Sequence, residues 1–372
     1  MKRFAILALV AACSHPKPVV KPTPPPAPIG NISWKHVDSP VDVSRTPPPP
    51  GTYRVHMIDV GTGLAILVQG HDFNLLYDGG TNDAGEKPLR VVSYLAQAIG
   101  ASGDSLCVPK NSHVPTQRLP IDHVVLSHPH ADHGNALDLV VHCYDVKNVW
   151  DSGRVNDAAF YRDFLTAVGS SLTAQYHTAT SVPETHTTVV KDTEIKIPNW
   201  TMFRESDVVK LGQGARFEIL HANGKKLADA NQNSVVIAVT LGQSRLLLVG
   251  DAESGARKDP SYPAGDVEAF LLEQHAAEIR ADILQVGHHG SMTSSRHAFL
   301  AAVKPKLALV STGPKRYGPV RLPDASVIDE LARDGIKVLR TDEHDEACPF
   351  THRIGGDSGP GGCDSYIITI AP

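Results

Sequence analysis

Val124-Val125-Leu126-Ser127-His128-Pro129-His130-Ala131-Asp132-His133 is the stretch on which the fold turns. Its first half is a short β-branched and apolar run, the mark of a buried strand. Its second half packs three imidazoles and a carboxylate into six residues, groups that are costly to bury unless they are paired or bind a cation. In an extended His128-Pro129-His130 segment alternate side chains point the same way, so both rings can address one ion. Asp132 and His133 follow where the chain turns toward a helix, and they can face a second ion.

The same junction recurs along the chain. Leu75-Leu76-Tyr77 runs into Asp78-Gly79-Gly80, Leu246-Leu247-Leu248-Val249-Gly250 into Asp251, and Ile283-Leu284-Gln285-Val286-Gly287 into His288-His289-Gly290. A core needs the apolar runs but has no use for the ligand-type groups at their ends. Asp251 is suited to bridge two adjacent sites, and a histidine from the His288-His289 pair to complete the second. Strands are expected over 53–58, 65–69, 74–77, 123–126, 216–220, 234–240, 245–249, 283–286 and 307–310, and helices over 88–98, 157–168, 267–279 and 325–333. That alternation predicts an α/β domain of mixed sheets with helices outside. The stretch from Ser152 to Gly214 exceeds what the sheets need and is expected to supply a lid over a pocket.

The pattern His-x-His-x-Asp-His followed by a strand-end Asp and a late His resembles the metallo-β-lactamase superfamily. Ile58-Asp59-Val60-Gly61-Thr62-Gly63, Asn231-Gln232-Asn233-Ser234, Leu248-Val249-Gly250-Asp251-Ala252-Glu253 and Val286-Gly287-His288-His289-Gly290-Ser291 are similar, in the same order, to motifs of the ComEC-type competence nuclease domain. The resemblance covers residues 53–345 and implies a four-layer αββα sandwich, the metallo-β-lactamase fold. It implies two divalent metal ions, zinc foremost and manganese where oxygen ligands increase, bridged by a hydroxide that acts as nucleophile. His128, His130 and His221 would hold the first ion. Asp132, His133 and either His288 or His289 would hold the second, with Asp251 touching both; Asp132 and Asp251 are the catalytic carboxylates. His221 follows the strand 216–220 where relatives read Leu-His-Pro; Asn231, Asn233 or water are the alternatives for its position. Asp78 would orient a ligand imidazole from behind. Two departures stand out. Thr62 and Leu64 replace the Gln and Asp usual in the first motif, and Pro319-Val320 follows Tyr317-Gly318 where the family has a histidine.

Phosphodiester hydrolysis is the chemistry such a cage best serves, on DNA or nucleotides, single-stranded DNA included. Ser291, Thr293, Ser294 and Ser295 beside the histidines are candidate phosphate donors, with a polar loop or helix cap as the alternative. Lys315 and Arg316 are candidate phosphate clamps, against a plain solvated pair. Hydrolysis of a lactam, lactone or other ester uses the same cage, and a non-catalytic envelope lipoprotein with a retained metal site is the third reading.

Composition frames these expectations. The chain has 372 residues, 41% hydrophobic and 20% charged, which excludes a polytopic membrane protein and a wholly disordered chain. Residues 1–50 carry six Lys or Arg against Asp38 and Asp42, a net +4, so the formal charge of −5 leaves −9 on residues 51–372. An acidic body argues against a general basic grip on nucleic acid.

Met1-Lys2-Arg3, the apolar run 4–12 and Cys13 have the proportions of a secretory signal, and Val10-Ala11-Ala12-Cys13 resembles a bacterial lipobox with Cys13 as the lipid-bearing residue. Residues 1–12 are expected as a signal peptide, 13–50 as a proline-rich tether and 51–372 as the hydrolase domain. Twelve of the 28 prolines fall within 14–50. The mature chain is expected to be exported and lipid-anchored to the outer membrane, as Ser14 suggests, with no transmembrane helix: a stand-alone relative of the competence nuclease domain. The remaining four of five cysteines suggest disulfides outside the cytoplasm, Cys348 with Cys363 and, by elimination, Cys107 with Cys143.

Overall fold

The structure, a computed structural model, describes residues 27–83, 89–100, 118–179, 186–348, 353–354 and 359–372. Among them, two large sheets carry the molecule. The first runs in the order Ile32–His36, Tyr366–Ile370, Tyr53–Met57, Ile66–Gln69, Asn74–Tyr77, Pro120–Leu126, Asp145–Asp151, Gln175–Thr178, Trp200–Met202. The second runs Val208–Gly212, Ala215–His221, Val236–Leu241, Ser244–Leu248, Ile283–Gln285, Leu307–Val310, Lys337–Arg340.

Alternation along the strands builds the layers. In Ser244–Leu248, Leu246 and Leu248 enter a core shared with Val55, Met57 and Val125 of the opposite sheet, whereas Leu247 joins Val267, Leu271, Phe299 and Leu331 on the helical side. The first sheet behaves likewise: Val125 faces the other sheet, and Val124 and Leu126 face Leu95, Leu137 and Phe164 of the helices Leu89–Ala98, Leu137–Cys143 and Ala159–Ser170. Period-two side chains with both faces covered give helix, sheet, sheet, helix. The expected four-layer sandwich is what forms.

Each sheet is antiparallel on one side and parallel on the other. Asn74–Tyr77, Pro120–Leu126 and Asp145–Asp151 are mutually parallel, as are Ser244–Leu248, Ile283–Gln285 and Leu307–Val310. Parallel neighbours end at the same edge, so the segments that leave Tyr77, Leu126, Leu248 and Gln285 emerge together, which is where open α/β sheets place their ligands.

Several expectations need correction. The tether does not extend to residue 50: Ile32–His36 pairs antiparallel with the last strand, and Ile32, Trp34 and Val37 are buried. The expected signal peptide, residues 1–12, and the expected lipid-bearing Cys13 lie outside the described residues, as does the rest of 1–26. The described parts of the stretch 152–214 do not form a lid. They form the helix Ala159–Ser170, two strands of the first sheet, the edge strand Val208–Gly212 of the second, and the hairpin His186–Val190 with Thr193–Ile197, whose Val190, Ile195 and Ile197 join the helix-side core. The helix expected over 267–279 spans Asp266–Gln274 and stops where His275 leaves helical geometry at φ −133°. Cys348 and Cys363 form the expected disulfide, with Cα atoms 5.7 Å apart. Cys143 is disulfide-bonded as well, and Cys107 lies outside the described residues. No described helix is long and apolar enough to cross a membrane.

Candidate metal centre

The four strand ends converge on a cavity of about 540 Å³ whose lining includes His130, Asp132, Asn231, Asp251 and His288. Close backbone approach makes this possible. A Cβ at Gly80 would lie 2.4 Å from the carbonyl oxygen of Ala131, and one at Gly63 2.2 Å from that of Gly80. Only glycine lets these segments press against the Ala131–Gly134 turn that carries Asp132 and His133.

Asp78, fully buried at φ +59°, anchors the arrangement. Its Oδ1 accepts from the Ser127 amide at 2.7 Å, and its Oδ2 accepts from Ser127 Oγ at 2.7 Å and His133 Nδ1 at 2.8 Å. With its proton on Nδ1, His133 turns Nε2 toward Asp251 Oδ2, 3.2 Å away. His289 follows the same logic: Nδ1 donates to the Ser311 carbonyl at 2.8 Å, and Nε2 stands 3.6 Å from both Asp132 Oδ2 and Asp251 Oδ2. His128 Nε2 lies 3.0 Å from His130 Nδ1 and 3.8 Å from Asp251.

A neutral imidazole whose one proton is committed presents a lone pair on its other nitrogen. Here such lone pairs face carboxylates in a buried site, and Nε2 of His133 and His289, Oδ1 of Asp251 and Oδ1 of Asn231 make no hydrogen bond. A divalent cation held among these groups resolves that conflict by taking the lone pairs as ligands. Charge shows the same pull. Burial works against it, yet Asp251 and Asp78 hold His133 well above the usual histidine range. Burial likewise opposes the carboxylate form of Asp251, and His133, His289 and His288 still hold it well below its ordinary range. Burial, reinforced by His133, pushes His128 well down.

The structure places His288 and His289 differently. Both occupy left-handed backbone, at φ 46° and 54°, which is uncommon for residues other than glycine and turns the two rings apart. His289 is buried between Asp132 and Asp251. His288 stands at the cavity wall, its Nδ1 2.6 Å from Thr293 Oγ1 and 2.8 Å from Glu253 Oε1, its Nε2 3.9 Å from Asp251.

His221 is not brought into the cluster. Its Nδ1 donates to the Ser234 carbonyl at 2.7 Å, its ring packs on Phe270 at 5.4 Å, and a bulge between Ile219 and His221 sets it toward the helical layer. Of the two asparagines, Asn231 lines the cavity, whereas Asn233 bonds to the carbonyls of Asn223 and Lys225.

The phosphate-donor residues divide similarly. Ser291 and Thr293 line the cavity. Ser294 does not: its hydroxyl is buried and donates to the Gly287 and Ser291 carbonyls. Ser295 supports the turn through its amide, which donates to Glu268. Lys315 and Arg316 do not line the cavity; the Lys315 ammonium sits 5.3 Å over the Tyr317 ring and Arg316 is exposed in a two-residue strand.

The cavity's cation is Arg257, which the sequence reading passed over because one arginine in a polar loop carries no local signal. It donates from Nη1 to Ser291 Oγ at 3.0 Å and from Nη2 to Asp324 Oδ1 at 2.6 Å. Asn82 was passed over too; it donates to Asp132 Oδ2 at 2.7 Å, and its place four residues beyond Asp78 was the available hint.

Fold and site together define a class. Residues 58–313 match the metallo-β-lactamase superfamily, and the chain belongs to it. Its members are generally metal-dependent hydrolases. Among curated relatives, the chain is similar to Recombination protein 2 of Haemophilus influenzae, at 26% identity over 284 residues, 76% of this chain and 27% of that protein. It is similar to the uncharacterized protein YcaI of Escherichia coli at 28% over 294 residues, 79% and 29% of the two chains, and to competence protein ComA of Neisseria gonorrhoeae at 26% over 284 residues, 76% and 30%. These are relatives of the ComEC type that the motifs resembled, and the chain spans less than a third of the length of each. The solved metallo-β-lactamase fold protein YhfI from Bacillus subtilis aligns with a TM-score of 0.42 at 13% identity, covering 77% of this chain and 96% of that one.

Proposed function

We propose that the chain is a two-metal phosphodiesterase that cleaves nucleic acid, single-stranded DNA in particular. The observation that carries this reading is that unsatisfied nitrogen and carboxylate lone pairs stand at and beside one cavity lined by hydrogen-bond donors suited to phosphate. His128, His130 and Asp251, with Asn231 Oδ1 at the edge, would hold one ion. Asp132, His133, His289 and Asp251 would hold the other. The mixed nitrogen and oxygen set suits zinc, with manganese accepted. Divalent ions so held activate water at neutral pH and offset the charge of a phosphoryl oxygen.

The protein's own groups complete the chemistry. Arg257, fixed by Ser291 and Asp324, offers the remaining guanidinium donors to a phosphate oxygen. Thr293 and Glu253 aim His288, whose Nε2 can hydrogen-bond the substrate. Asn82 holds Asp132 in place while Tyr317, with Val320 and Leu322, supplies an apolar wall against which a base or sugar can rest. The relatives' names, a recombination protein and a competence protein, support nucleic acid as substrate. An exported, lipid-bearing Cys13 would place this activity in the cell envelope.

The test compares hydrolysis of a phosphodiester reporter, single-stranded DNA and a lactam by the zinc- or manganese-loaded protein. The proposal expects the first two to be cleaved, with activity abolished by Asp251→Ala and His130→Ala. Cleavage of the lactam alone, or retention of activity by both variants, would overturn it.

A further inference from the structure

A second set of metal-type ligands lies apart from the cavity and shares no residue with it. His36 ends the first strand, His344 sits in the turn after Lys337–Arg340, and Asp364 lies two residues before the start of the last strand. Their ligand atoms lie within 4.8 Å of one another. Asp364 is fully buried, and its Oδ1 is met from two sides, by His344 Nδ1 at 2.6 Å and His36 Nε2 at 3.1 Å.

His36 exposes the difficulty. Its Nδ1 lies 2.6 Å from Asp38 Oδ1 and its Nε2 faces Asp364, so both ring nitrogens point at carboxylates. A neutral imidazole carries one proton and can satisfy only one of them. The conflict is removed either by a second proton on the ring or by a cation held between Nε2 and Asp364. With the cation, Asp38 takes the part that a carboxylate commonly plays behind a ligating histidine, fixing its tautomer and raising its basicity.

The frame is rigid. Cys363, next to Asp364, is tied to Cys348, four residues beyond His344. Asp364 Oδ2 accepts from the His344 amide at 2.6 Å, and the Asp364 amide donates to Asp59 Oδ2 at 2.9 Å. Tyr366 packs edge-on against the His36 ring at 5.1 Å. The side chains of His36 and His344 remain 27% and 59% exposed, which leaves room for water to complete a coordination shell.

We propose that His36, His344 and Asp364 bind a zinc-type divalent ion that clips the N-terminal strand and the final strand to the 341–348 turn. Two imidazoles, one carboxylate and water form a set zinc accepts, and a hard cation such as magnesium does not favour. The ion would close the molecule where the two chain-terminal strands meet, so its effect is on stability rather than on turnover.

The full-length chain, purified in detergent, is stripped with a chelator, reloaded with zinc and assayed for bound zinc and for the zinc-induced rise in Tm. His344→Gln is expected to retain one zinc fewer per chain than the unaltered protein and to lose part of the Tm rise, with phosphodiester hydrolysis unchanged. Asp38→Asn, a substitution at an exposed residue that leaves the three ligands in place, is expected to weaken zinc binding at this site by about 10- to 100-fold. The Asp251→Ala protein, disabled in the cavity, is expected to keep this ion. Equal zinc content and equal Tm rise in His344→Gln, Asp38→Asn and the unaltered chain would overturn the proposal and leave a doubly protonated His36 as the resolution.

Discussion

Replacing Asp78 with asparagine isolates what that carboxylate does for the metal centre. Asp78 sits at φ +59°, a conformation that asparagine tolerates better than most residues, so the backbone has no reason to move. The chemistry changes. Both Asp78 oxygens accept hydrogen bonds, one from the Ser127 amide and the other from Ser127 Oγ and His133 Nδ1. Asparagine offers one acceptor. If it faces the Ser127 amide, its NH₂ group points at His133 Nδ1, which must then accept, and the ring's proton moves to Nε2. A protonated Nε2 cannot ligate and points at Asp251, 3.2 Å away, in place of a lone pair. Loss of such a supporting carboxylate weakens metal binding by about 10- to 100-fold, or about 1.4 to 2.7 kcal/mol. Zinc titration against a competing chelator reads this directly, and Asp78→Asn should retain native far-UV circular dichroism while binding zinc that much more weakly. Affinity within twofold of the unaltered protein would refute the reasoning that Asp78 sets the His133 tautomer.

Other outcomes follow from the same geometry. Gly80→Ala would place a Cβ 2.4 Å from the Ala131 carbonyl oxygen and displace the turn that carries Asp132, so kcat should fall by at least tenfold, checked by steady-state hydrolysis of the phosphodiester reporter. Arg257→Ala should raise KM for that reporter by about tenfold, the effect of one charge-assisted hydrogen bond worth about 1.5 kcal/mol, with zinc content unchanged. Burial holds His56 down to about 3. A histidine whose folded pKa is lowered stabilises the fold above its unfolded value, and that stability is lost as pH falls toward the folded one. Between pH 6.5 and pH 4 this is about 3 kcal/mol, so denaturant unfolding of His56→Leu should show a correspondingly smaller loss over that interval.

The parallel strand ends were legible because each joins an apolar run, which only a buried strand explains, to ligand-type groups that the core would reject. That contrast alone made Asp132, His133 and Asp251 candidates, whereas the role of Asp78 rested on the family resemblance. His221 satisfied the same local rule and failed in three dimensions, since a bulge at the end of its strand turned the ring to the Ser234 carbonyl. No one-dimensional pattern reports a bulge. The choice between His288 and His289 was equally hidden, because two successive left-handed residues decide which ring faces inward. Ile32–His36 was overlooked because only five residues of alternating burial are set among prolines, and their partner lies at least 330 residues away in the sequence. Arg257 belongs to the cavity through tertiary contact, with nothing in its neighbours to mark it, and Asn82 had only its nearness to Asp78 as a hint.

The ligand set is the centre of this account, and anomalous diffraction at the zinc edge from crystals of the zinc-loaded protein tests it most directly. Two peaks are expected in the cavity, one against His128, His130 and Asp251 and one against Asp132, His133, His289 and Asp251, with none at His221. A cavity without anomalous density, or a peak bound by His221, would contradict it.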